Sequence, residues 1–437
     1  MVILNEKMNS VIRLADFFEN STSPEVCILV GLDTGEYDAF VSIDELEELA
    51  HTAGAEVFAK LIQKRDKPDN ATYLGGGKLF ELKNICDENE IDLLIFDGEL
   101  TPSQQRNIEN ITDVRVVDRT MLILDIFALN ARTGEGKLQV ELAQLKYSLP
   151  RLGGKGAEMS RLGGGIGTRG PGESKLESDR RHIRRRINAL ETQLETLSKR
   201  RLLLRERRKK NAVTTVAIVG YTNAGKSTLL NALTNAGVLA ENKLFATLDP
   251  TSRALKLPDG RTVLLVDTVG FISRLPHDLV EAFKSTLEEV VYADLILNIC
   301  DSSDKEVEEH IRVTKNVVEE LGASDKPMLT VYNKCDKVPN LRFFGESGTD
   351  VRISALNRQG LDKLLENMCR MLENTRRQVK LLLPYAEGAV ASKIRKEGAV
   401  LREEYREDGL FIEAVLDGRF LNNVKNYLLP EEDEKEL

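Results

Sequence analysis

The sequence predicts an α/β protein made of several domains. Short apolar runs alternate with helix-like stretches over residues 1–130 and again over 212–375, which is the pattern of parallel sheets covered by helices. Between these regions, apolar residues recur at heptad spacing on both sides of a glycine-rich loop. A chain of 437 residues is long enough to bury more than one core.

Residues 1–130 are predicted to form a small parallel α/β domain. Its buried strands are expected at VCILV (26–30), EVFAKLI (56–62), DLLIF (92–96) and VRVV (114–117). Two helices, SIDELEELAHTAG and TPSQQRNIENI, are expected to open on a Ser and a Thr cap.

Residues 131–211 are predicted to form an antiparallel helical hairpin. Leu138, Leu142, Leu145 and Leu149 precede Pro150, and a second heptad series runs from Leu176 to Leu204. The tip loop, 151–172, holds nine glycines. The remaining chain, 376–437, reads as a small α+β module with a hairpin at Glu407–Gly409 and an acidic tail.

Charge is distributed unevenly. The chain carries −9 overall, yet residues 151–210 hold 18 Lys or Arg and 7 Asp or Glu, a local excess of 11 positive charges. Such a segment in an acidic protein indicates a polyanionic partner, with RNA the first candidate. The alternative is a solvated helical face.

Composition excludes several classes of protein. No apolar run is long enough to span a membrane, and the N-terminus lacks the layout of a signal peptide, so we expect a cytoplasmic protein. Five widely spaced cysteines without a CxxC pair indicate free thiols. The four histidines show no metal-site spacing.

A phosphate-binding loop is predicted at GYTNAGKS, Gly220 to Ser227, directly after the strand VTTVAIV. Glycines let the backbone wrap phosphate with its N–H groups inward, and the following helix adds its dipole. Lys226 is expected to reach the β- and γ-phosphates and Ser227 to bind Mg²⁺. The nucleotide-binding residues predicted here are Gly220, Asn223, Ala224, Gly225, Lys226, Ser227 and Thr228.

Two nucleotide-responsive segments are predicted next. DTVG follows the strand TVLLV, so that Asp267 holds Mg²⁺ through water and the Gly270 N–H contacts the γ-phosphate. Before it, FATLDPTS (245–252) contains Phe245 and two threonines, Thr247 and Thr251, that qualify by position as Mg²⁺ ligands. Lys226, Thr247 and Gly270 are the predicted catalytic groups.

The base-reading loop is predicted at NKCD, Asn333 to Asp336. The Asp336 carboxylate can accept from guanine N1–H and the 2-amino group, which adenine cannot supply, so GTP is the expected substrate. Lys334 is expected to cover the base, and Asn333 to tie this loop to the phosphate loop. In ISAL, Ser354 and Ala355 are expected to direct backbone N–H groups at guanine O6.

One position departs from the pattern of many small GTPases, and it is the position that would orient the attacking water. Many small GTPases place a glutamine after DTVG to orient that water, whereas this chain has Phe271. We therefore expect slow intrinsic hydrolysis and a partner that supplies the missing group. The alternative is that another side chain of this protein orients the water.

Several segments of the chain together resemble the HflX family of GTPases. They are TYLGGGKLFEL, DGELTPSQQRNIE, the run from VVDRTMLILDIF to KYSLPRL, and GGGIGTRGPGESKLESDRR. FATLDPTSR and Phe271 are similar to that family too. The resemblance favours Thr247 over Thr251 and implies a Mg²⁺-dependent GTPase on the large ribosomal subunit. The hairpin would then approach ribosomal RNA near the peptidyl-transferase region, in splitting or rescue of ribosomes under stress or in subunit biogenesis or dormancy. A monomer is expected. The candidate RNA contacts of the hairpin are Arg151, Lys155, Arg161, Arg169, Arg180, Arg181, Arg184, Arg185 and Arg186.

Two rival functions stay open at this stage. The protein could be a non-enzymatic, GTP-dependent ribosome anchor, or a GTPase whose basic segment faces a protein or an acidic membrane. GGGK at Gly75–Lys78 lacks phosphate-loop spacing and is expected to be a tight turn before a helix.

Overall fold

The computed structural model describes residues 24–152, 171–210, 213–234, 244–245, 251–274, 287–338, 350–373, 376–417, 421 and 424–429. The chain packs as two compact units. The first contains Met1–Thr196, Glu241–Asp249 and Arg274–Lys284, and the second contains Leu197–Ala240, Pro250–Ser273 and Ser285–Leu437. These units are coarser than the four regions predicted from the sequence, and Leu244, Phe245 and Arg274 of the predicted GTPase region 212–375 belong to the first unit.

The first unit contains a parallel sheet with strand order β2-β1-β3-β4. The strands are β1 (Val26–Asp33), β2 (Glu56–Lys64), β3 (Leu93–Phe96) and β4 (Arg115–Asp118), and the helices between them are α1 (Ala39–Ala53), α2 (Gly76–Asn89) and α3 (Pro102–Thr112). All four strands and the parallel α/β fold were predicted. The central strands β1 and β3 are buried along most of their length, as expected for parallel strands covered on both faces. Edge strand β2, which was predicted to be buried, instead alternates exposed and partly buried residues over its first half.

The N-terminal cap was predicted correctly for one helix of this unit and wrongly for another. Helix α3 begins after Thr101, which forms a capping box with Gln104, as the sequence indicated. Helix α1 begins after Asp38, whose carboxylate accepts from Phe40 N–H at 2.9 Å. Ser42, predicted to be the cap, lies inside the helix, where it is buried and donates to Asp97 at 2.7 Å.

The two helices of the hairpin pack through their apolar seams. Helix α4 (Arg119–Asn130) leads into α5 (Gly134–Ser148), and α6 spans Pro171–Lys210. Leu145 packs with Ile183, Ile187 and Leu190 of α6. The chain between 152 and 171, with most of the glycine-rich loop, lies outside the described residues.

The second unit contains a six-stranded sheet of order β10-β9-β8-β5-β7-β6, parallel except for edge strand β6. The strands are β5 (Thr214–Gly220), β6 (Thr251–Lys256), β7 (Thr262–Asp267), β8 (Leu295–Asp301), β9 (Met328–Asn333) and β10 (Val351–Arg352), and the helices are α7 (Lys226–Thr234), α8 (Val307–Glu320) and α9 (Leu361–Glu373). Because the parallel strands point the same way, the predicted nucleotide motifs at the ends of β5, β7 and β9 share one sheet edge.

A three-stranded antiparallel sheet completes the second unit, with order β11-β13-β12. Its elements are β11 (Arg376–Leu383), α10 (Gly388–Glu397), β12 (Ala399–Arg406) and β13 (Gly409–Asp417). The hairpin predicted at Glu407–Gly409 is confirmed, and Gly409 at φ 147° takes the conformation that favours glycine.

Two predictions from composition can also be compared with the structure. All five cysteines are free thiols, as expected. Among the described helices, none combines the length and apolar character needed to cross a membrane.

Candidate nucleotide site

The loop Gly220–Ser227 joins central strand β5 to helix α7, and its shape depends on two glycines. Gly220 has φ 144° and Gly225 has φ 94°, values that side chains disfavour. A Cβ on Gly225 would also overlap the Asn333 side chain, and one on Gly220 would overlap the Ile299 carbonyl. The loop therefore requires glycine for both conformation and space.

Lys226 lies folded across this loop. Its ammonium donates to the carbonyl oxygens of Gly220 at 3.1 Å and Tyr221 at 2.8 Å, and the residue is 7% exposed. Burial lowers the pKa of Lys226 to about 8, while the Asp267 carboxylate acts in the opposite direction. The loop thus holds a buried cationic group between its own carbonyls and the sheet edge.

Ser227 and Asp267, the two predicted magnesium ligands within the described residues, lie side by side. The Ser227 hydroxyl donates to an Asp267 carboxylate oxygen at 2.7 Å, and Asp267 is fully buried. A hydroxyl and a carboxylate in this arrangement fit the oxygen ligands that Mg²⁺ prefers. Thr247, the third predicted ligand, lies outside the described residues.

Asn333 ties the predicted base loop to the phosphate loop. Its side-chain N–H donates to Ala224 O at 2.8 Å, and its side-chain oxygen accepts from Ala355 N–H at 2.9 Å. The residue is 2% exposed, so both groups are satisfied inside the protein. The tie expected from the sequence is present, and it extends to the loop after β10.

Lys334 and Asp336 follow Asn333 at the end of β9. Lys334 forms an ion pair with Asp301 at 2.7 Å, a partner that sequence reasoning missed. Burial would raise the pKa of Asp301, but hydrogen bonds from Lys334 and Ser303 hold it below its ordinary value. Asp336 is exposed, so its carboxylate is accessible at the position predicted to read the base.

The backbone N–H groups of Ser354 and Ala355 have partners inside the protein. The Ser354 N–H donates to Gln359 O at 3.1 Å, and the Ala355 N–H donates to Asn333. The first bond closes the loop on itself, since Ser354 and Gln359 form a β-bridge, and the second attaches it to the base loop. A contact of either N–H with guanine O6 stays a prediction.

Gly270 lies against the phosphate loop. A Cβ built there would meet Thr222 Cγ2 at 2.8 Å and Lys226 Nζ at 2.9 Å, so only glycine allows this approach. Phe271, the residue in place of the water-orienting glutamine, is 1% exposed. Its side chain packs into the interior, and position 271 contributes only backbone groups near the loop.

Phe245 lies in the first unit. Its ring meets Phe127 edge to face at 4.7 Å, and its carbonyl accepts from the Asn130 side chain at 3.0 Å. The residue is 2% exposed. This environment is apolar packing, and a contact of Phe245 with nucleotide stays a prediction.

The arginines predicted to contact RNA fall into two sets. Arg151 does not fit that role, because its guanidinium donates to Leu100 O at 2.7 Å and stacks on Tyr147 at 3.5 Å. Arg180 donates to Leu152 O at 2.9 Å, a bond between α6 and the chain that follows α5. Arg186 pairs with Glu141. Arg181, Arg184 and Arg185 are exposed, as is the paired Arg186, and Arg184 lies 4.0 Å from Glu177. Lys155, Arg161 and Arg169 lie outside the described residues.

The GGGK segment was predicted to be a tight turn before a helix, but it is the start of that helix, and the turn precedes it at 70–72. Helix α2 begins at Gly76, and the Gly75 N–H donates to the Gln63 side chain at 2.9 Å. Lys78 pairs with Glu81 one turn along the helix.

Sequence reasoning missed one cluster beside the phosphate loop. Tyr221 contacts Ser273 through its hydroxyl and His310 through its ring. The only signal in the sequence was a tyrosine inside the phosphate loop, and nothing in the spacing pointed to residues 52 and 89 positions away.

The loop around Lys226, the Ser227–Asp267 pair and the Asn333 tie, on a mostly parallel sheet, define a P-loop GTPase. Family models match along the chain: "GTP-binding GTPase N-terminal" over residues 41–128, "GTP-binding GTPase Middle Region" over 130–208 and "50S ribosome-binding GTPase" over 215–334.

Curated relatives give the particular family. A GTPase HflX from Caldanaerobacter subterraneus is 52% identical over 94% of this chain and 95% of its own length. GTPase HflX from Escherichia coli K12 is 41% identical over 90% and 93%. A crystal structure of a GTP-binding protein from Sulfolobus solfataricus with GDP is 29% identical, covers 80% of this chain and 99% of that one, and has a TM-score of 0.43. The chain belongs to the HflX family of GTPases and is a GTP hydrolase.

Proposed function

We propose that this GTPase is Mg²⁺-dependent, binds the large ribosomal subunit, and acts in splitting or rescue of ribosomes or in subunit biogenesis. The nucleotide site carries the first part of the proposal. Ser227 and Asp267, 2.7 Å apart, would hold the ion, and Mg²⁺ would neutralise charge that develops on the phosphates. Thr247 is the proposed third ligand.

Each residue of the site has a separate proposed role in binding or hydrolysis. Lys226 exchanges its contacts with loop carbonyls for phosphate oxygens, and α7 directs its N-terminal dipole at them. Asp336 reads guanine while Asn333 holds its loop in register with the phosphate loop. Gly270 lies close to the Lys226 ammonium, and its N–H is the proposed contact to the γ-phosphate.

The ribosomal assignment is supported by two features of the chain. The model matched over 215–334 is that of a 50S ribosome-binding GTPase. Helix α6 presents Arg181, Arg184 and Arg185 exposed on its surface, and exposed arginines bind phosphates without reading sequence. We expect the glycine-rich loop at the tip of this hairpin to approach ribosomal RNA.

GTP turnover by the purified protein, alone and with purified large ribosomal subunits, tests the proposal. We expect the subunits to accelerate turnover about tenfold or more, because Phe271 cannot orient water and the ribosome would supply that group. Lys226→Ala, which removes the phosphate-binding cation, is the inactive control. An unchanged rate with large subunits would contradict the assignment of the partner.

A second candidate is a GTP-dependent ribosome anchor in which hydrolysis plays no part, favoured by the buried Phe271. Ribosome binding with GTP and with a non-hydrolysable analogue, followed by release over time, separates the two. The anchor predicts equal release from both complexes, whereas a hydrolytic switch predicts release only with GTP. Incubation with whole ribosomes and separation on a density gradient shows whether the subunits come apart.

A further inference from the structure

The loop that follows Asp267 is attached to the phosphate loop by backbone hydrogen bonds. Thr222 N–H donates to Phe271 O at 2.8 Å, and Phe271 N–H donates to Gly220 O at 3.1 Å. These bonds lie on the C-terminal side of Gly270, whose N–H is the predicted contact to the γ-phosphate. The position of Gly270 thus depends on how firmly residues 271–273 are held.

A side chain of the phosphate loop adds a second attachment. The Tyr221 hydroxyl donates to the Ser273 hydroxyl at 2.8 Å and accepts from the Ser273 N–H at 2.7 Å. The hydroxyl therefore uses its donor and its acceptor capacity on one residue. Tyr221 is 7% exposed, so the bonds are made away from bulk water, where they are stronger.

The ring of Tyr221 is itself held in place. It stacks on the imidazole of His310 in α8 with ring centroids 3.6 Å apart and planes at 11°. His310 Nδ1 lies 3.6 Å from the Asp304 carboxylate. Because α8 packs on the sheet through the fully buried Thr314 and Val318, the tyrosine is fixed at its ring and at its hydroxyl.

We propose that Tyr221 is a positioning residue for GTP hydrolysis, which holds the Gly270–Ser273 loop in register with the phosphate loop through Ser273. The Phe271 side chain is buried and cannot align the attacking water, so residues 270–273 can act near the phosphates only through their backbone groups, whatever group a partner adds. Backbone groups act in the transition state only when their loop is preorganised. Tyr221 provides that preorganisation without touching the nucleotide.

The test compares kcat for GTP hydrolysis and nucleotide affinity in the variant Tyr221→Phe, which keeps the stacked ring and removes only the hydroxyl. We expect kcat to fall about tenfold, since small misplacements of reacting groups cost one to two orders of magnitude. The Kd for GDP, measured with a fluorescent analogue, is expected to stay within about twofold, because the phosphate and base contacts are unchanged.

Ser273→Ala and the double variant show whether the two residues act through each other. Ser273→Ala alone is expected to be milder, because its N–H still donates to the tyrosine. Added to Tyr221→Phe, it is expected to cost little more, since the bond is already lost. Additive losses would overturn the proposed attachment.

Tyr292→Phe is the matched control. This tyrosine is half exposed, lies in the same unit, and its hydroxyl makes no hydrogen bond within the described part of the chain. Its kcat is expected to equal that of the wild type. If the Tyr221→Phe variant also has the full kcat, or a higher one, the Tyr221 hydroxyl plays no part in hydrolysis and the proposal is wrong. If kcat falls while the affinity for GDP is unchanged, misfolding is excluded as the cause of the loss.

Discussion

At the scale of single residues, Asp125 is the most unusual carboxyl group in the first unit. It lies in α4 with 2% exposure and accepts a hydrogen bond from Gln144 at 3.3 Å. Burial raises the pKa of Asp125 from its ordinary value of 3.8 to about 8, although Arg115 and Gln144 act in the opposite direction. We therefore expect Asp125 to hold a proton in the folded protein at neutral pH.

This protonation predicts how stability depends on pH. Between about pH 4 and pH 8 the folded state holds a proton at Asp125 that the unfolded state releases. The contribution of Asp125 to stability is thus greatest at low pH and is lost as the pH rises through 8. We expect Asp125→Asn, which stays neutral, to be more stable than the wild type at pH 8, with the difference growing by roughly 1 kcal/mol per pH unit from pH 6.

Thermal unfolding of the variant and the wild type at pH 6, 7 and 8 measures this difference. Glu88→Gln, a neutralised exposed carboxyl on α2, controls for net charge and should leave the pH profile unchanged. Parallel profiles for Asp125→Asn and the wild type would show that Asp125 is ionised in the fold.

The nucleotide residues show which part of a site a sequence can predict. Asn333 could be placed because its role follows from its position at the end of a strand that parallels β5. The role of Arg151 could not, because its acceptor Leu100 O lies 51 positions away and any exposed or buried arginine carries the same charge in the sequence. Tyr221 and Ser273 were missed for the same reason, since hydroxyl pairs leave no spacing pattern.

At the scale of elements, the first helix illustrates why boundaries are harder to predict than the helix itself. The apolar period of α1 identified the helix correctly. Both Asp38 and Ser42 are residues that cap helices, and the choice between them depends on Asp97, a distant residue that takes the Ser42 hydroxyl.

We expect the two polar residues to respond differently to substitution. Asp38→Ala should destabilise the start of α1 by about 1 kcal/mol, and Asp38→Asn should restore most of it because its oxygen can still accept from Phe40 and Val41. Amide hydrogen exchange is expected to accelerate at 40–42 in Asp38→Ala only. Equal exchange in Asp38→Ala and the wild type would contradict the assignment of the cap.

At the scale of the whole molecule, positive charge is concentrated in residues 151–210, which include α6. The chain carries −9 overall, while α6 displays Arg181, Arg184 and Arg185 to solvent. Binding of these groups to RNA phosphates releases counterions, so affinity falls linearly with salt on a logarithmic scale. Arginines paired inside the protein, such as Arg151, contribute nothing to that slope.

Replacement of Arg181, Arg184 and Arg185 by glutamine is therefore expected to weaken binding to large ribosomal subunits. The slope of log K against log salt should decrease in magnitude by about two to three. GTP affinity should not change, because the site at Lys226 and Asp336 uses none of these side chains. Sedimentation of the protein with large subunits over a series of salt concentrations measures the slope.

A second triple variant separates a local contact from a general charge effect. Lys64, Lys67 and Arg106 are exposed cations of the first unit, and their replacement by glutamine makes the same change in net charge. If long-range attraction alone brings this acidic protein to RNA, both triple variants lose the same slope. If α6 contacts phosphates, only the α6 variant does, because counterion release counts the phosphates that are neutralised and not the charge of the whole protein. Equal loss of slope in the two variants would thus contradict a contact between α6 and RNA, and it would have no bearing on the assignment of the GTPase site.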